Sequence, residues 1–254
     1  MIKKYIILLG IMLTLTACSK AEVTDTEEKI QGDVEISGVR EETEQIDETQ
    51  RVEETSSWVS TMALAQTTTQ IVAVVEQDGV VMVSLHTMDE NGIWTENFSV
   101  EGRIGKKGLG KTKEGDKKTP TGAYRFTHAF GILPDPGILA LPYVQVDKSH
   151  RWVDDSNSKY YNQFVSTKEV KADWSSAERL YKSTYSYKYV LALNYNEACV
   201  PGAGSAVFLH CPSKTFDSTS GCIAIPEENM KLLMQMLRED CVIVIDRDEN
   251  IMNY

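Results

Sequence analysis

A histidine and a cysteine near the C-terminal end of the chain are suited to nucleophilic catalysis. His210 ends an apolar run, and Cys222 opens a second one after a polar loop. An unperturbed thiol is only slightly ionised at neutral pH, so it needs a neighbouring base, and an imidazole suits that task. The two residues are twelve positions apart, which excludes a shared helical face. Two short strands joined by a loop would bring them side by side.

Gly221, directly before the cysteine, fits the same chemistry. Without a side chain it permits a tight turn and lets a substrate carbonyl approach the backbone N–H groups of Gly221 and Cys222. A structural interpretation stays open, because cysteine is among the most buried residue types and a single Cys–His pair is not specific to one family.

Two sequence blocks resemble the signature of the YkuD family of L,D-transpeptidases. Residues 119–126, TPTGAYRF, are similar to the family's T-P-x-G-x-[FY] strand. Residues 208–210, FLH, and 219–223, TSGCI, are similar to its upstream histidine and its [ST]-x-G-C-[IV] motif. The resemblance covers residues 70–247.

This resemblance implies a mechanism and a substrate. Cys222 would be the nucleophile, His210 the general base, Gly221 an oxyanion donor, and the backbone carbonyl of Cys211 would orient the histidine. The substrate would be a peptidoglycan stem peptide, attacked at the carbonyl of its third residue. The resulting thioester would pass to an amine of a neighbouring stem and form a crosslink, whereas water would make the enzyme a carboxypeptidase. No cofactor is implied.

Two other functions stay open. One is a different cell-wall cysteine peptidase, although such enzymes usually carry the cysteine before the histidine. The other is a catalytically silent wall-binding lipoprotein, because Ala224 stands where the family often has an arginine.

The elements that would position this pair are mostly strands. An Asp-Gly pair at 78–79 separates two β-branched runs and predicts a hairpin. Similar runs predict a mainly β fold with a few helices, which the resemblance implies is a β-sandwich or barrel. The predicted strands are 70–76, 80–85, 94–100, 124–130, 189–195, 206–209 and 241–246. Apolar residues at helical spacing after Pro226 predict an amphipathic helix. A capping-box pattern at 175–178 predicts a short helix to about residue 185.

Aromatic and short polar residues between the two blocks are candidates for a substrate groove. Trp152, Asp154 and Tyr161, together with Ser220 beside the nucleophile, are the predicted substrate contacts. The cluster at 152–162 is equally compatible with a packed surface lobe.

Residues 105–112 match the phosphate-binding pattern G-x-x-x-x-G-K-[ST]. Such a loop needs a buried strand before it and a helix after it, and neither is predicted here. We therefore expect a solvated loop and no nucleotide.

The N-terminal residues predict export. Residues 1–17 have a basic start and a short apolar run, typical of a signal peptide. Leu15-Thr-Ala-Cys18 resembles a lipoprotein cleavage site, so Cys18 would be lipidated and would anchor the protein to the outer face of the membrane. Residues 18–66 are predicted as a disordered acidic linker, and 67–254 as the catalytic domain.

Charge and cysteine usage exclude other functions. The net charge of −11 argues against a nucleic-acid partner. No ligand spacing typical of a metal site is present. Cys199, Cys211 and Cys241 remain, and a disulfide between the first two is compatible with an exported protein.

Overall fold

The computed structural model describes residues 56–215 and 217–254. The predicted signal peptide, Cys18 and residues 19–55 of the predicted linker lie outside the described residues. Within the described part, no helix is long and apolar enough to cross a membrane.

The described chain is mainly β, as predicted. Its strands are β1 (Gln70–Gln77), β2 (Val80–Met88), β3 (Trp94–Glu101), β4 (Gly122–Gly131), β5 (Tyr143–Gln145), β6 (His150–Val153), β7 (Phe164–Ser166), β8 (Ala177–Glu178), β9 (Val190–Leu193), β10 (Phe208–His210), β11 (Ile223–Ala224) and β12 (Val242–Arg247). The helices are α1 (Glu227–Met236) and α2 (Asp248–Ile251), and short 3-10 turns are Trp58–Thr61, Ala63–Gln66 and Leu180–Lys182.

A nine-stranded sheet holds most of these strands. Its order is β11-β10-β9-β4-β12-β1-β2-β3, with β5 paired to β4. The β1–β12, β4–β5 and β10–β11 pairs are parallel, and the others are antiparallel. A separate three-stranded sheet, β7-β6-β8, belongs to residues 147–187, which we call the lobe.

The predicted hairpin joins β1 and β2. Asp78 has φ 52° and Gly79 has φ 84°. Two consecutive positive φ angles match the turn whose twist suits a two-residue hairpin loop, and Asp-Gly is a preferred sequence for it.

Apolar side chains cover both faces of the central strands. On one face, Met230, Leu233 and Met234 of α1 pack into the main core, as the predicted helical spacing requires. On the other face, Val59 and Met62 of the first turns pack against β1. Val59 and Met62, which fall in the predicted linker, are therefore part of this apolar cluster.

A third apolar cluster lies between the sheet and the lobe. Phe208 of β10 is fully buried there, and its ring centroid lies 4.9 Å from that of Trp152 and 5.5 Å from that of Phe130. Cys222 packs against the same cluster. The lobe thus covers the sheet face that carries the candidate nucleophile.

The helix predicted from the capping box is wrong. Residues 177–178 form β8, and only a three-residue 3-10 turn follows. The serines of the pattern bond elsewhere: Ser175 donates to Asp155, and Ser176 donates to Asp154. Glu178 pairs with Trp152 across the lobe sheet, so tertiary pairing overrides the local helix signal.

Candidate active site

The parallel pairing of β10 with β11 brings His210 and Cys222 to one face of the sheet. His210 pairs with Ala224, so Cys222, two residues earlier, lies beside Phe208. Alternate residues of a strand share a face, so the histidine and the cysteine are diagonal neighbours. Ideal strand spacings put their Cα atoms ~8 Å apart, a separation that the two side chains can bridge.

His210 is buried and held in one tautomer. Its Nδ1 lies 2.6 Å from the carbonyl oxygen of Cys211. Because a carbonyl only accepts, Nδ1 carries the proton and Nε2 of the neutral ring is the proton acceptor. Burial lowers the pKa of His210 to about 4, although the hydrogen bond to Cys211 acts in the opposite sense. The ring is therefore a neutral base at physiological pH.

The Cys222 thiol is also neutral at rest. Its Sγ lies 3.3 Å from the carbonyl oxygen of Ala206 and donates to it. Burial raises the pKa of the thiol to about 12; the Glu178 charge adds to this, and the Phe208 N–H and the Lys111 charge oppose it. Burial thus disfavours a preformed thiolate–imidazolium pair.

Gly221 occupies a position that requires glycine. Its φ is 147°, a region that residues with a side chain rarely adopt. A Cβ atom there would lie 2.8 Å from the backbone oxygen of Lys118. The Gly221 N–H donates to Thr219 Oγ1 at 3.1 Å. Its use as an oxyanion donor requires that it exchange this internal acceptor for substrate.

Two threonine hydroxyls hold the backbone of the candidate nucleophile, Cys222. Thr219 Oγ1 donates to the Cys222 carbonyl at 2.6 Å, and Thr119 Oγ1 donates to the same oxygen at 3.2 Å. Thr119 opens the TPTG block, and its Oγ1 also accepts from the Gly105 N–H at 2.8 Å. The two sequence blocks that carry the resemblance therefore meet at the carbonyl of one cysteine.

Arg103 ties the loop between His210 and Cys222 to the sheet. Its backbone pairs with Ala224, with N–H to O distances of 2.9 Å in both directions. Its guanidinium donates to the Ser213 carbonyl at 3.2 Å and lies 3.6 Å from the Asp217 carboxylate. A cationic side chain therefore stands beside Ala224.

The comparisons with known proteins identify the family. A family model described as the L,D-transpeptidase catalytic domain, YkuD, matches residues 67–245. The chain belongs to this family. No match to a curated protein was found.

Two solved structures are similar to this family member. One is the helical cell shape determining protein Pgp2 from Campylobacter jejuni, at 18% identity and TM-score 0.41, covering 72% of this chain and 49% of that chain. The other is an L,D-transpeptidase (Yku) from Stackebrandtia nassauensis, at 14% identity and TM-score 0.31, covering 70% of this chain and 55% of that chain. The chain thus spans about half the length of these solved structures.

In this YkuD domain the glycine–lysine loop is solvated only in part: Lys106 and Lys107 are exposed, as predicted, but Lys111 is not. The Lys111 side chain is 3% exposed, and its Nζ lies 3.1 Å from Asp116 Oδ1. Asp116 also accepts from the backbone N–H groups of Thr112, Lys113 and Lys118. The loop has neither the preceding buried strand nor the following helix of a phosphate site. The ion pair instead stabilises residues 111–118, which pack against Gly221.

The predicted substrate contacts lie in different environments. Ser220 is exposed, two residues before Cys222, and Asp154 is half-buried. Trp152 is only 4% exposed in the third cluster. Tyr161 is 2% exposed, and its hydroxyl donates to Glu114 at 2.6 Å and accepts from the Gly204 N–H. Tyr161 is thus committed to the protein interior and offers substrate no surface in this structure.

Three residues beside the site were not predicted from the sequence as site residues. Tyr187 is buried with its ring centroid 5.5 Å from that of His210. Asn162 accepts from the Ala206 N–H at 3.2 Å, and Glu178 projects from the lobe toward the same cluster. Their positions depend on lobe contacts that no local pattern encodes. The sequence shows an aromatic and polar cluster at 152–162, but it does not reveal which of these side chains point inward.

The cysteines of the described residues, Cys199, Cys211, Cys222 and Cys241, are all free thiols. The Cys199–Cys211 disulfide that we considered is thus not formed in this structure, where Cys211 is buried and Cys199 lies in a turn. Within the described part of the chain, no group of three or more His, Cys, Asp or Glu residues could hold a metal ion.

Proposed function

We propose that this YkuD domain is a cysteine-dependent L,D-transpeptidase that acts on peptidoglycan stem peptides. Cys222 is the nucleophile and His210 the general base. The observation that carries the proposal is the β10–β11 pairing, which brings the two residues to one face of the sheet. The imidazole of His210 is buried there, and its hydrogen bond to the Cys211 carbonyl fixes its tautomer. Membership of the family supplies the substrate class.

The first half-reaction transfers the acyl group to sulfur. His210 Nε2 takes the thiol proton as Cys222 Sγ attacks the carbonyl carbon of the third stem residue. The C–N bond of the terminal residue then breaks, and the proton passes from the imidazolium to the departing amine. A thioester remains on Cys222, and the imidazole is again neutral.

The neutral resting pair fits a transfer that is coupled to attack. With the thiol pKa far above and the imidazole pKa below their usual values, ionisation before substrate binding is unfavourable. A bound carbonyl changes this, because negative charge then develops on its oxygen and not on sulfur. Backbone N–H groups at Cys222 and Gly221 are the donors that we assign to this oxygen.

The second half-reaction decides the product. A primary amine of a neighbouring stem attacks the thioester, the C–S bond breaks, and a crosslink forms. Attack by water gives a trimmed stem and makes the same chemistry a carboxypeptidation.

We also propose that the domain works outside the cell membrane, held by lipid on Cys18. The motif at 15–18 and the apolar run before it support this. A Cys18→Ala variant should move from the membrane fraction to the soluble fraction. If both forms stay equally in the membrane fraction, the lipid anchor is refuted.

Intact mass spectrometry tests the nucleophile. The protein is incubated with a stem tetrapeptide, and the expected adduct has the mass of the tripeptide acyl group. Cys222→Ala should form no adduct, while Cys199→Ala, which removes another incompletely buried thiol, should form it like the unchanged protein. An adduct on Cys222→Ala would refute the assignment.

A further inference from the structure

Glu178 of the lobe faces the sheet surface that carries Cys222. In the antiparallel lobe sheet it lies directly opposite Trp152. Side chains of directly opposed residues project from the same face of a sheet. The Trp152 ring packs on Phe208, with 4.9 Å between ring centroids, and Phe208 lies beside Cys222. Glu178 therefore projects toward the sheet face that carries Cys222.

The surroundings of this carboxyl group are otherwise aromatic. The charge of Glu178 acts on the Tyr187 hydroxyl and helps to raise its pKa, and the Tyr187 ring lies edge-on to His210. Asp154, whose carboxylate accepts from Ser176, adds negative charge nearby. The charge of Glu178 acts on the Cys222 thiol, which agrees with the position given by the strand pairing.

The carboxyl group of Glu178 is partly buried. Burial raises the pKa of Glu178 above its usual range, the Asp154 charge adds to this, and the nearby Tyr187 hydroxyl acts in the opposite sense. A carboxylate in such surroundings attracts a cation, because the cation restores the solvation that burial removed. It is also a stronger base than an exposed carboxylate.

We propose that Glu178 receives the acceptor amine: it binds the ammonium group of a second stem peptide and takes a proton from it before the nitrogen attacks the Cys222 thioester. This inference rests on the proposed function and assigns the second substrate of the same site. Asp154 contributes charge to this acceptor site without contacting the reacting atoms.

The step is balanced in protons and bonds. The ammonium group gives one proton to the Glu178 carboxylate, and the free amine forms a C–N bond to the thioester carbon. The C–S bond breaks, and the second proton passes from nitrogen to His210 Nε2 and then to the sulfur. Cys222 is again a thiol, and Glu178 releases its proton to solvent.

Partition of the thioester between amine and water tests the proposal. The donor is a stem tetrapeptide whose own amines are acetylated, so that it cannot act as acceptor. The acceptor is a stem tripeptide with a free side-chain amine, in lysine and diaminopimelate forms, and its acetylated counterpart is the blank. Thioester formation is followed by intact mass, and the crosslinked and hydrolysed products are separated by chromatography.

Glu178→Gln should still form the thioester, while the ratio of crosslinked to hydrolysed product falls about a hundredfold, the size of a general-base contribution. The acceptor KM should rise, and Glu178→Asp should recover part of the ratio. Glu169→Gln, an exposed glutamate of the same lobe, is the matched control and should leave the ratio unchanged.

Other outcomes overturn the proposal at identifiable points. An unchanged ratio in Glu178→Gln refutes the acceptor role. An equal loss of thioester formation and of crosslinking shows that Glu178 supports the site as a whole, which also refutes it. An unchanged protein whose thioester only hydrolyses refutes the acceptor site but leaves the nucleophile intact. An unchanged protein that forms no thioester refutes the proposed function itself.

Discussion

The Sγ atom of Cys222 lies 3.3 Å from the carbonyl oxygen of Ala206, so the resting thiol donates to the segment just before β10. Ala206 has φ 53°, a left-handed conformation that is unfavourable for a residue with a side chain. Asn162 stabilises it, because its Oδ1 accepts from the Ala206 N–H at 3.2 Å and from Trp152 Nε1 at 2.9 Å. One amide of the lobe thus fixes the carbonyl that holds the thiol.

Asn162→Ala should release this carbonyl. We expect thioester formation to slow about tenfold and the free energy of unfolding to fall by about 1–3 kcal/mol, because buried N–H groups lose their acceptor. Mass spectrometry and chemical denaturation measure the two effects. Asn157→Ala is the control, because Asn157 is exposed and its side-chain amide donates to Asp155 of the same loop. Equal behaviour of the two variants would contradict the role of Asn162.

The alkylation rate of Cys222 should follow its raised pKa. With a thiol pKa of about 12, the thiolate fraction rises tenfold per pH unit through the neutral range. The iodoacetamide rate, corrected with Cys222→Ala for the other thiols, should therefore keep rising from pH 7 to 9. A plateau that begins below pH 7 would instead indicate a preformed thiolate–imidazolium pair.

Gly221→Ala should abolish thioester formation. The added Cβ would meet the Lys118 backbone oxygen at 2.8 Å, and φ 147° is unsuitable for alanine. We expect a stability loss of about 1–3 kcal/mol. Gly202→Ala is the control, because Gly202 also has a positive φ, 79°, but open space around it. It shows the effect of backbone strain without a steric clash. That variant should stay active, and activity in Gly221→Ala would refute the steric explanation.

His86 should make stability depend on pH. The ring is buried and contacts Ser57 Oγ and Ser84 Oγ at 2.7 Å each. Burial lowers the pKa of His86 from 6.5 to about 4, so the unfolded chain binds a proton first as pH falls. The associated stability is present above pH 6.5 and is lost as pH falls toward 4.

The size of this effect follows from the two pKa values. Between pH 7 and pH 5, His86 should remove about 2 kcal/mol from the free energy of unfolding. Denaturant titrations at both pH values measure it, and His86→Gln should lose that much less than the unchanged protein. The same slope in both proteins would show that His86 is not the titrating group.

Local signals were sufficient for much of the fold. The Asp-Gly turn, the β-branched runs and the spacing after Pro226 predicted the first hairpin, most of the sheet and α1. Each of these elements is decided by residues close in sequence. The helix predicted at 175–178 failed because its serines find acceptors about 20 residues away, in the turn that follows β6.

The site was predictable only in part, for a related reason. Residue type, together with the single polar loop that separates them, was enough to predict His210, Gly221 and Cys222 as site residues. The structure brings the histidine and the cysteine to one face of the sheet. No comparable sequence pattern predicts a place in the site for Glu178 or Lys111. A lysine in a glycine-rich loop is usually solvated, and only the fold shows that Asp116, five residues on, buries it as an ion pair.

The β10–β11 pairing also makes the relative position of His210 and Cys222 independent of the length of the loop that joins them. Backbone hydrogen bonds between the two strands set the relative position of His210 and Cys222, so residues 212–218 only need to return the chain to the neighbouring strand. Insertions or deletions there would reshape the entrance seen by an incoming glycan-linked peptide while the reacting atoms stay in register. Under the proposed function, loop grafting at this position should alter the choice of stem peptide without moving His210 or Cys222.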